Sequence, residues 1–243
     1  MDSKISDFPK DAAKALSVST IATAAELATD EWDNDFNCNY SHDGTKLLDA
    51  ENFPDTVKVR QGTRIICDGV FSFQDYMDED RPLGSTIPED ERVSFLDKIY
   101  LPDSVEHIGF GAFKECGWIR RIGLPSSLLT IRDEAFYGCW ELRQIGFPAK
   151  LLSVGDRAFF ECFSLEKVRI NKGLQCLGSE AFAFCESLQE ITLPSGLSMI
   201  GDDVFLGCKS LKRIFVPEAY FEAYKELLPA KMHRKLRRIG QKS

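Results

Sequence analysis

The chain has 243 residues, 44% hydrophobic and 28% charged, which is ordinary for one or two folded domains and excludes disorder of the whole chain. A formal net charge of −8 argues against a general nucleic-acid binder, which is normally basic overall. The charge is polarised: residues 1–100 carry 21 acidic against 10 basic side chains, while from Lys209 onward there are 10 Lys or Arg against 3 Glu.

Met1-Asp2-Ser3-Lys4 is not the basic start of a secretory leader, and the Ala-rich stretch that follows is interrupted by Lys14, Ser17, Ser19, Thr20, Thr23 and Glu26. No run of 18 or more apolar residues exists, so no transmembrane helix is expected. If Met1 is the native start, the expected location is the cytoplasm. Residues Asp11–Ala28 read as a helix and Tyr40–Leu48 as a hairpin turning on Asp43-Gly44. Together they make an N-terminal cap over residues 1–56.

From Val59 the chain repeats. Ala-Phe pairs stand at Ala112-Phe113, Ala135-Phe136, Ala158-Phe159 and Ala181-Phe182, with Val204-Phe205 closing the series, and every step is 23 residues. Three residues after each Phe is a cysteine: Cys116, Cys139, Cys162, Cys185 and Cys208. Aliphatic columns follow at Ile119 to Leu211 and at Ile122 to Ile214, and a further apolar pair precedes each Ala-Phe. Pro125, Pro148, Pro194 and Pro217 end four of the units, Asn171 standing in the fifth. Val59–Phe71 aligns with Leu101–Phe113 as a degenerate first unit, with Cys67 in place of the glycine. Phe71 and Phe113 are 42 residues apart, so 19 residues are inserted. Gln74–Ser94, rich in Asp and Glu, is the expected site of that insertion and reads as an acidic surface loop.

Each unit can be read physically. Leu-x-x-Ile-x-Leu-Pro has the period-two ending of a short strand, and proline then stops the ladder because it has no donor. Gly-x-x-Ala-Phe-x-x-Cys reads as a tight helical or 3₁₀ turn on the opposite wall. One such coil cannot bury its apolar edge alone, so coils must stack, about 4.8 Å apart. The expected architecture is an α/β repeat: a right-handed, curved solenoid with one short strand per 23-residue coil and helical end caps. The solenoid occupies 57–217. Glu218–Leu228 and Lys231–Ile239 are expected helices of a C-terminal cap, 218–243, whose Met232, Leu236 and Ile239 would share one face.

The unit Leu-Pro-x-x-Leu-x-x-Ile-Gly-x-x-Ala-Phe-x-x-Cys-x-x-Leu-x-x-Ile resembles the BspA-type (Treponema pallidum-type) leucine-rich repeat, strongly over 99–216 and weakly over 57–73. The Tyr40–Leu48 hairpin and the Val216-Pro217-Glu218 ending resemble parts seen in that family. The resemblance implies a leucine-rich-repeat solenoid used for binding, with adhesin-like members that are often surface or secreted proteins. Secretion or cell-surface display is therefore the alternative location.

The residues point to binding rather than catalysis. The cysteine column needs only small side chains that tolerate burial, and no Cys pair has zinc-ligand spacing. His42, His107 and His233 lie in separate segments with no nucleophile placed beside them, and no phosphate or dinucleotide loop is present. No enzyme activity, metal or cofactor is expected. The outward positions of the Leu-x-x-Ile-x-Leu strands hold seven basic against two acidic side chains. A concave binding face of Arg120, Arg121, Arg143, Lys167, Arg169, Lys212, Arg213 and Phe215 follows, suited to a protein with an acidic surface. No specific nucleic-acid partner is expected. A self-assembling scaffold, with acidic N-terminal and basic C-terminal ends associating head to tail, is the other reading.

Overall fold

The computed structural model describes residues 8–51, 53–72 and 96–239. The acidic insertion expected within 74–94 lies outside the described residues. Elsewhere the chain winds into stacked coils of a β-solenoid, with little helix.

Each coil lays one short strand on a front wall and another on a back wall. The front strands are β9 (Gln144–Gly146), β11 (Lys167–Arg169), β13 (Glu190–Thr192) and β15 (Arg213–Val216), all parallel. The coil before β9 joins them through an isolated bridge from Arg121 to Gln144. Registers Gln144–Lys167, Lys167–Glu190 and Glu190–Arg213 reproduce the 23-residue step. Within β9, β11 and β13 the central residue is buried and its neighbours are exposed, as alternation demands.

The back wall is a feature that sequence reading did not supply as strand. Residue pairs β5 (Ile65–Ile66), β7 (His107–Ile108), β8 (Thr130–Ile131), β10 (Ser153–Val154), β12 (Cys176–Leu177) and β14 (Met199–Ile200) form a parallel ladder. Each coil thus carries two strands where one was expected. The reason for the miss is physical: in β7, β8, β10 and β12 both residues are buried, so no inside–outside alternation marks a strand.

Between the walls the chain turns twice through left-handed backbone. Gly111, Glu134, Arg157, Glu180 and Asp203 have φ of 50–56°, and Glu115, Gly138, Glu161, Phe184 and Gly207 have φ of 57–69°. Left-handed residues at these two places break the helical run expected for Gly-x-x-Ala-Phe-x-x-Cys, which forms successive turns instead.

The core is a set of vertical ladders. Phe71, Phe113, Phe136, Phe159 and Phe182 stack nearly parallel with centroids 5.1–5.3 Å apart, and Phe205 follows at 6.2 Å. Beside them each column cysteine donates its thiol to the Phe carbonyl of the preceding coil. Cys116 reaches Phe71 at 3.1 Å, Cys139 reaches Phe113 at 3.3 Å, and Cys162, Cys185 and Cys208 continue the series. A cysteine therefore fits for two reasons: it is small and tolerates burial, and it carries a weak donor for the carbonyl of the coil before, beside the amide that carbonyl accepts within its own coil in Phe113, Phe136, Phe159 and Phe182. All eight cysteines are free and buried. Burial pushes the column thiols well above their usual range, Cys208 to about 12, so they have little thiolate character.

The repeat glycine is a place where neighbouring coils come close. A Cβ on Gly178 would lie 2.4 Å from the backbone nitrogen of Asp156, and one on Gly201 would lie 2.3 Å from that of Ser179. The close approach lets Asp156 Oδ1 accept the Ser179 amide at 2.7 Å, and Asp133 Oδ1 accept the Asp156 amide at 2.9 Å. Gly178→Ala is expected to cost about 1–3 kcal/mol, because backbone rather than a side chain must give way. Gly146→Ala, with nothing within 4 Å of its Cβ, should stay within about 0.5 kcal/mol. Urea denaturation of the two variants checks both.

The ends differ from the sequence expectation. One N-terminal helix over Asp11–Ala28 was expected; two form, α1 (Lys10–Leu16) and α2 (Ala24–Leu27). The intervening Ser17, Ser19 and Thr20 are weak helix formers, and Thr23 restarts the helix with a capping box to Glu26. Helix α1 buries Ala12 and Ala15 and packs on β8, and Arg132 donates to the carbonyls of Leu16 and Val18, each at 2.6 Å. The hairpin is present as β2 (Cys38–Tyr40) and β3 (Lys46–Ala50); with β1 (Glu31–Asp33) it extends the back sheet, β3 pairing with β5. At the other end Glu218–Tyr220 is a 3₁₀ turn leading into α3 (Phe221–Leu227), and α4 covers only Ala230–His233. Leu236–Arg238, expected as helix, is strand β16 paired with β15. The edge of β15 needs a partner, and Leu236 takes the register beside Ile214 and buries with it. Met232 is buried as well, but Ile239 is half exposed, so the three share no face.

Candidate functional site

The front wall places Arg121, Gln144, Lys167, Glu190 and Arg213 in one outward column by the 23-residue register. Two residues on, Gly123, Gly146, Arg169, Thr192 and Phe215 make a second outward column. Arg120, Arg143 and Lys212 precede the strands and are exposed beside the first column. The structure therefore gathers all eight expected site residues on one wall. Seven are exposed cations, and Phe215 is half buried.

They are not equivalent. Arg213 meets Glu190 of the preceding coil at 2.8 Å and leans over the Phe215 ring, 5.8 Å from its centroid. Arg120 lies 3.8 Å from Glu141. Among the described residues, Arg121, Arg143, Lys167, Arg169 and Lys212 have no carboxylate within ion-pair distance. Exposed pairs such as Arg213–Glu190 add only about 0–1 kcal/mol to stability, yet they cancel the local charge. The unneutralised charge therefore concentrates on the middle coils of the wall.

Several surroundings of the face escaped sequence reading. Tyr100, on β6 (Lys98–Tyr100), is 56% exposed and stands one repeat before Gly123. The backward 23-residue step from Gly123 could have found it, but β6 pairs with β4 (Thr56–Lys58), in the degenerate part of the series. Trp118, Trp140 and Phe163 form an exposed aromatic edge where three successive coils enter the front wall. Trp140 lies so close over Gly117 that a Cβ there would sit 2.5 Å from its ring. Arg237, expected on a helix, pairs in register with Phe215 through β16.

Among the described residues, no group of three or more His, Cys, Asp or Glu is placed to hold a metal ion, and no helix is long and apolar enough to cross a membrane. The described histidines are dispersed. His42 is exposed near Glu31, His233 contacts the Leu228 carbonyl, and His107 is buried against Thr130.

Stacked two-walled coils with Phe and Cys ladders define a leucine-rich-repeat solenoid. Residues 92–212 match the BspA type Leucine rich repeat region in six copies. The chain belongs to that family. Among solved structures it is similar to the Treponema pallidum leucine-rich-repeat protein TpLRR, at 22% identity and a TM-score of 0.60, covering 85% of this chain and 95% of that one. It is also similar to the pneumococcal vaccine antigen PcpA, at 22% identity and 0.62, covering 85% of this chain and 46% of that one. A third is a leucine-rich-repeat protein of Eubacterium ventriosum, at 17% identity and 0.52, covering 78% and 52%. The chain spans about half the length of these last two. At such identities the likeness speaks for the fold. No curated protein matches the chain.

Proposed function

We propose that this protein is a non-catalytic, adhesin-like binding module whose front wall docks a protein with an acidic surface. The observation that carries the reading is the group of five exposed cations, Arg121, Arg143, Lys167, Arg169 and Lys212, without carboxylate partners among the described residues, on one wall of the solenoid. A fixed array of like charge raises encounter rates with an oppositely charged partner and selects against basic ones. The family supports protein binding in general terms, and its adhesive members support the finer reading.

Charge reversal tests it. Arg121→Glu/Arg143→Glu/Lys167→Glu should leave stability within about 0.5 kcal/mol per site, since all three are exposed. Capture of the partner from the native proteome should fall about tenfold or more, and wild-type capture should weaken as salt rises. Equal capture by both proteins would remove the front wall from the binding surface.

The polarised charge favours a second reading, a scaffold assembling head to tail through its acidic and basic ends. Salt-sensitive, concentration-dependent oligomers in light scattering would support it, and a monomer at high concentration would end it.

A further inference from the structure

Gly123 and Gly146 stand next to each other in the second outward column, where the following coils carry Arg169, Thr192 and Phe215. Glycine is costly within a strand, by about 0.5–1 kcal/mol relative to alanine, so its presence needs a reason. Backbone conformation is not that reason, because neither residue is among those with positive φ. Close packing is not the reason either: a Cβ at either position would meet nothing within 4 Å among the described residues. The remaining physical use of a strand glycine is to leave bare backbone where something from outside comes near.

The bare patch has defined sides. Tyr100, exposed, stands at the equivalent place one coil earlier, and Arg169 pairs in register with Gly146 on the other flank. Arg121, at an isolated bridge, and Gln144, on β9, each stand two residues before a glycine, with Arg143 and Lys167 adjacent. From the Tyr100 coil to the Arg169 coil is three strand spacings, about 14 Å. About four residues of extended polypeptide span that distance.

Resting on the proposed function above, we infer that Gly123 and Gly146 floor a notch that takes an extended acidic peptide segment. Its main chain lies over the two glycines, and its carboxylates meet Arg121, Arg143, Lys167 and Arg169. The four cations that line the notch are among those with no carboxylate partner in the described residues; Arg120, beside Arg121 on the Gly123 coil, has Glu141 at 3.8 Å, and Arg213, two coils beyond Arg169, meets Glu190. The unpaired charge thus lies on the two glycine coils, at Arg121 and Arg143, and on the coil that flanks them, at Lys167 and Arg169.

The test separates shape from charge. A fluorescein-labelled decapeptide of alternating Glu and Gly is titrated by anisotropy into the full chain at low salt, with dextran sulfate as a plain polyanion. Wild type should bind the peptide saturably. Gly123→Val/Gly146→Val keeps the net charge and suits a strand. It should weaken peptide binding at least tenfold, with an unchanged circular dichroism spectrum and little effect on dextran sulfate. Arg121→Gln/Arg169→Gln should weaken both ligands. If the valine variant binds the peptide as wild type does while the arginine variant loses it, the notch is refuted and only a diffuse basic face remains. If wild type takes dextran sulfate and no peptide, the segment is not a polypeptide and the inference falls. Proteome capture insensitive to charge reversal would instead remove the broader binding reading.

Discussion

Phe159→Ala is expected to lower the unfolding free energy by about 3–5 kcal/mol, the cost of deleting a buried aromatic ring from a core that cannot close over the gap. Phe159 is fully buried in a middle coil. Its ring stacks on Phe136 at 5.1 Å and on Phe182 at 5.3 Å, and it also touches Phe147 at 5.7 Å. Collapse is resisted from both sides, because hydrogen bonds on the front and back walls fix the coil spacing. The cavity would therefore persist and forfeit contacts with three rings at once. Phe205→Ala should cost less: its nearest partner in the stack is 6.2 Å away and no further ring follows it. Urea denaturation of both variants reads the difference. An unchanged midpoint for Phe159→Ala would show that the ladder does not carry the core.

Acid should weaken the fold through His107. Its side chain is 2% exposed, and its Nδ1 lies 2.9 Å from Thr130 Oγ1 on the neighbouring back strand. Burial lowers its pKa from 6.5 to about 4; Arg132 and Arg64 push the same way, and Glu106 opposes them. Above pH 6.5 the ring is neutral in folded and unfolded chains alike, and no penalty exists. As the pH falls from 6.5 toward 4 the unfolded chain takes up a proton that the folded one refuses. Stability is lost across that window, by about 3 kcal/mol at its acid end. Carboxylates also titrate there, so the readout is a comparison: His107→Gln, which has no charged form, should show a shallower decline than wild type. Parallel declines would mean that the imidazole is accessible to protons in the folded protein. Because α1 packs on β8 and Arg132 holds the carbonyls of Leu16 and Val18, amides of the N-terminal segment should be the first to lose exchange protection.

What could be read from the sequence followed the repeat itself. The Phe and Cys columns announced themselves because each position recurs with the same side chain, and the stack demands identical chemistry at each level. The second strand of each coil stayed hidden, since pairs such as Thr130-Ile131 and Ser153-Val154 are too short and too uniformly buried to show alternation. The left-handed turns were equally silent: Glu134, Arg157 and Glu180 give no glycine to betray them. Leu236–Arg238 has a helical-looking apolar spacing, yet the open edge of β15 recruits it as a strand, a tertiary demand that no local pattern carries. On the front wall the sequence located the cations but could not tell which have carboxylates. Glu190 and Arg213 are 23 residues apart, and only the stacking brings them together.

The uniform register also makes the coil a unit of deletion. Excising residues 149–171 would join Pro148 to Lys172, which stands one repeat after Ala149. Phe182 would then fall beside Phe136, and Cys185 would inherit the Phe136 carbonyl now used by Cys162. The molecule would be shorter by one rung with its remaining ladders intact. Losing a number of residues other than a multiple of 23 from these regular coils would instead break the registers that β9, β11, β13 and β15 share. A protein built this way can change its reach in whole steps while each surviving rung keeps its own surface.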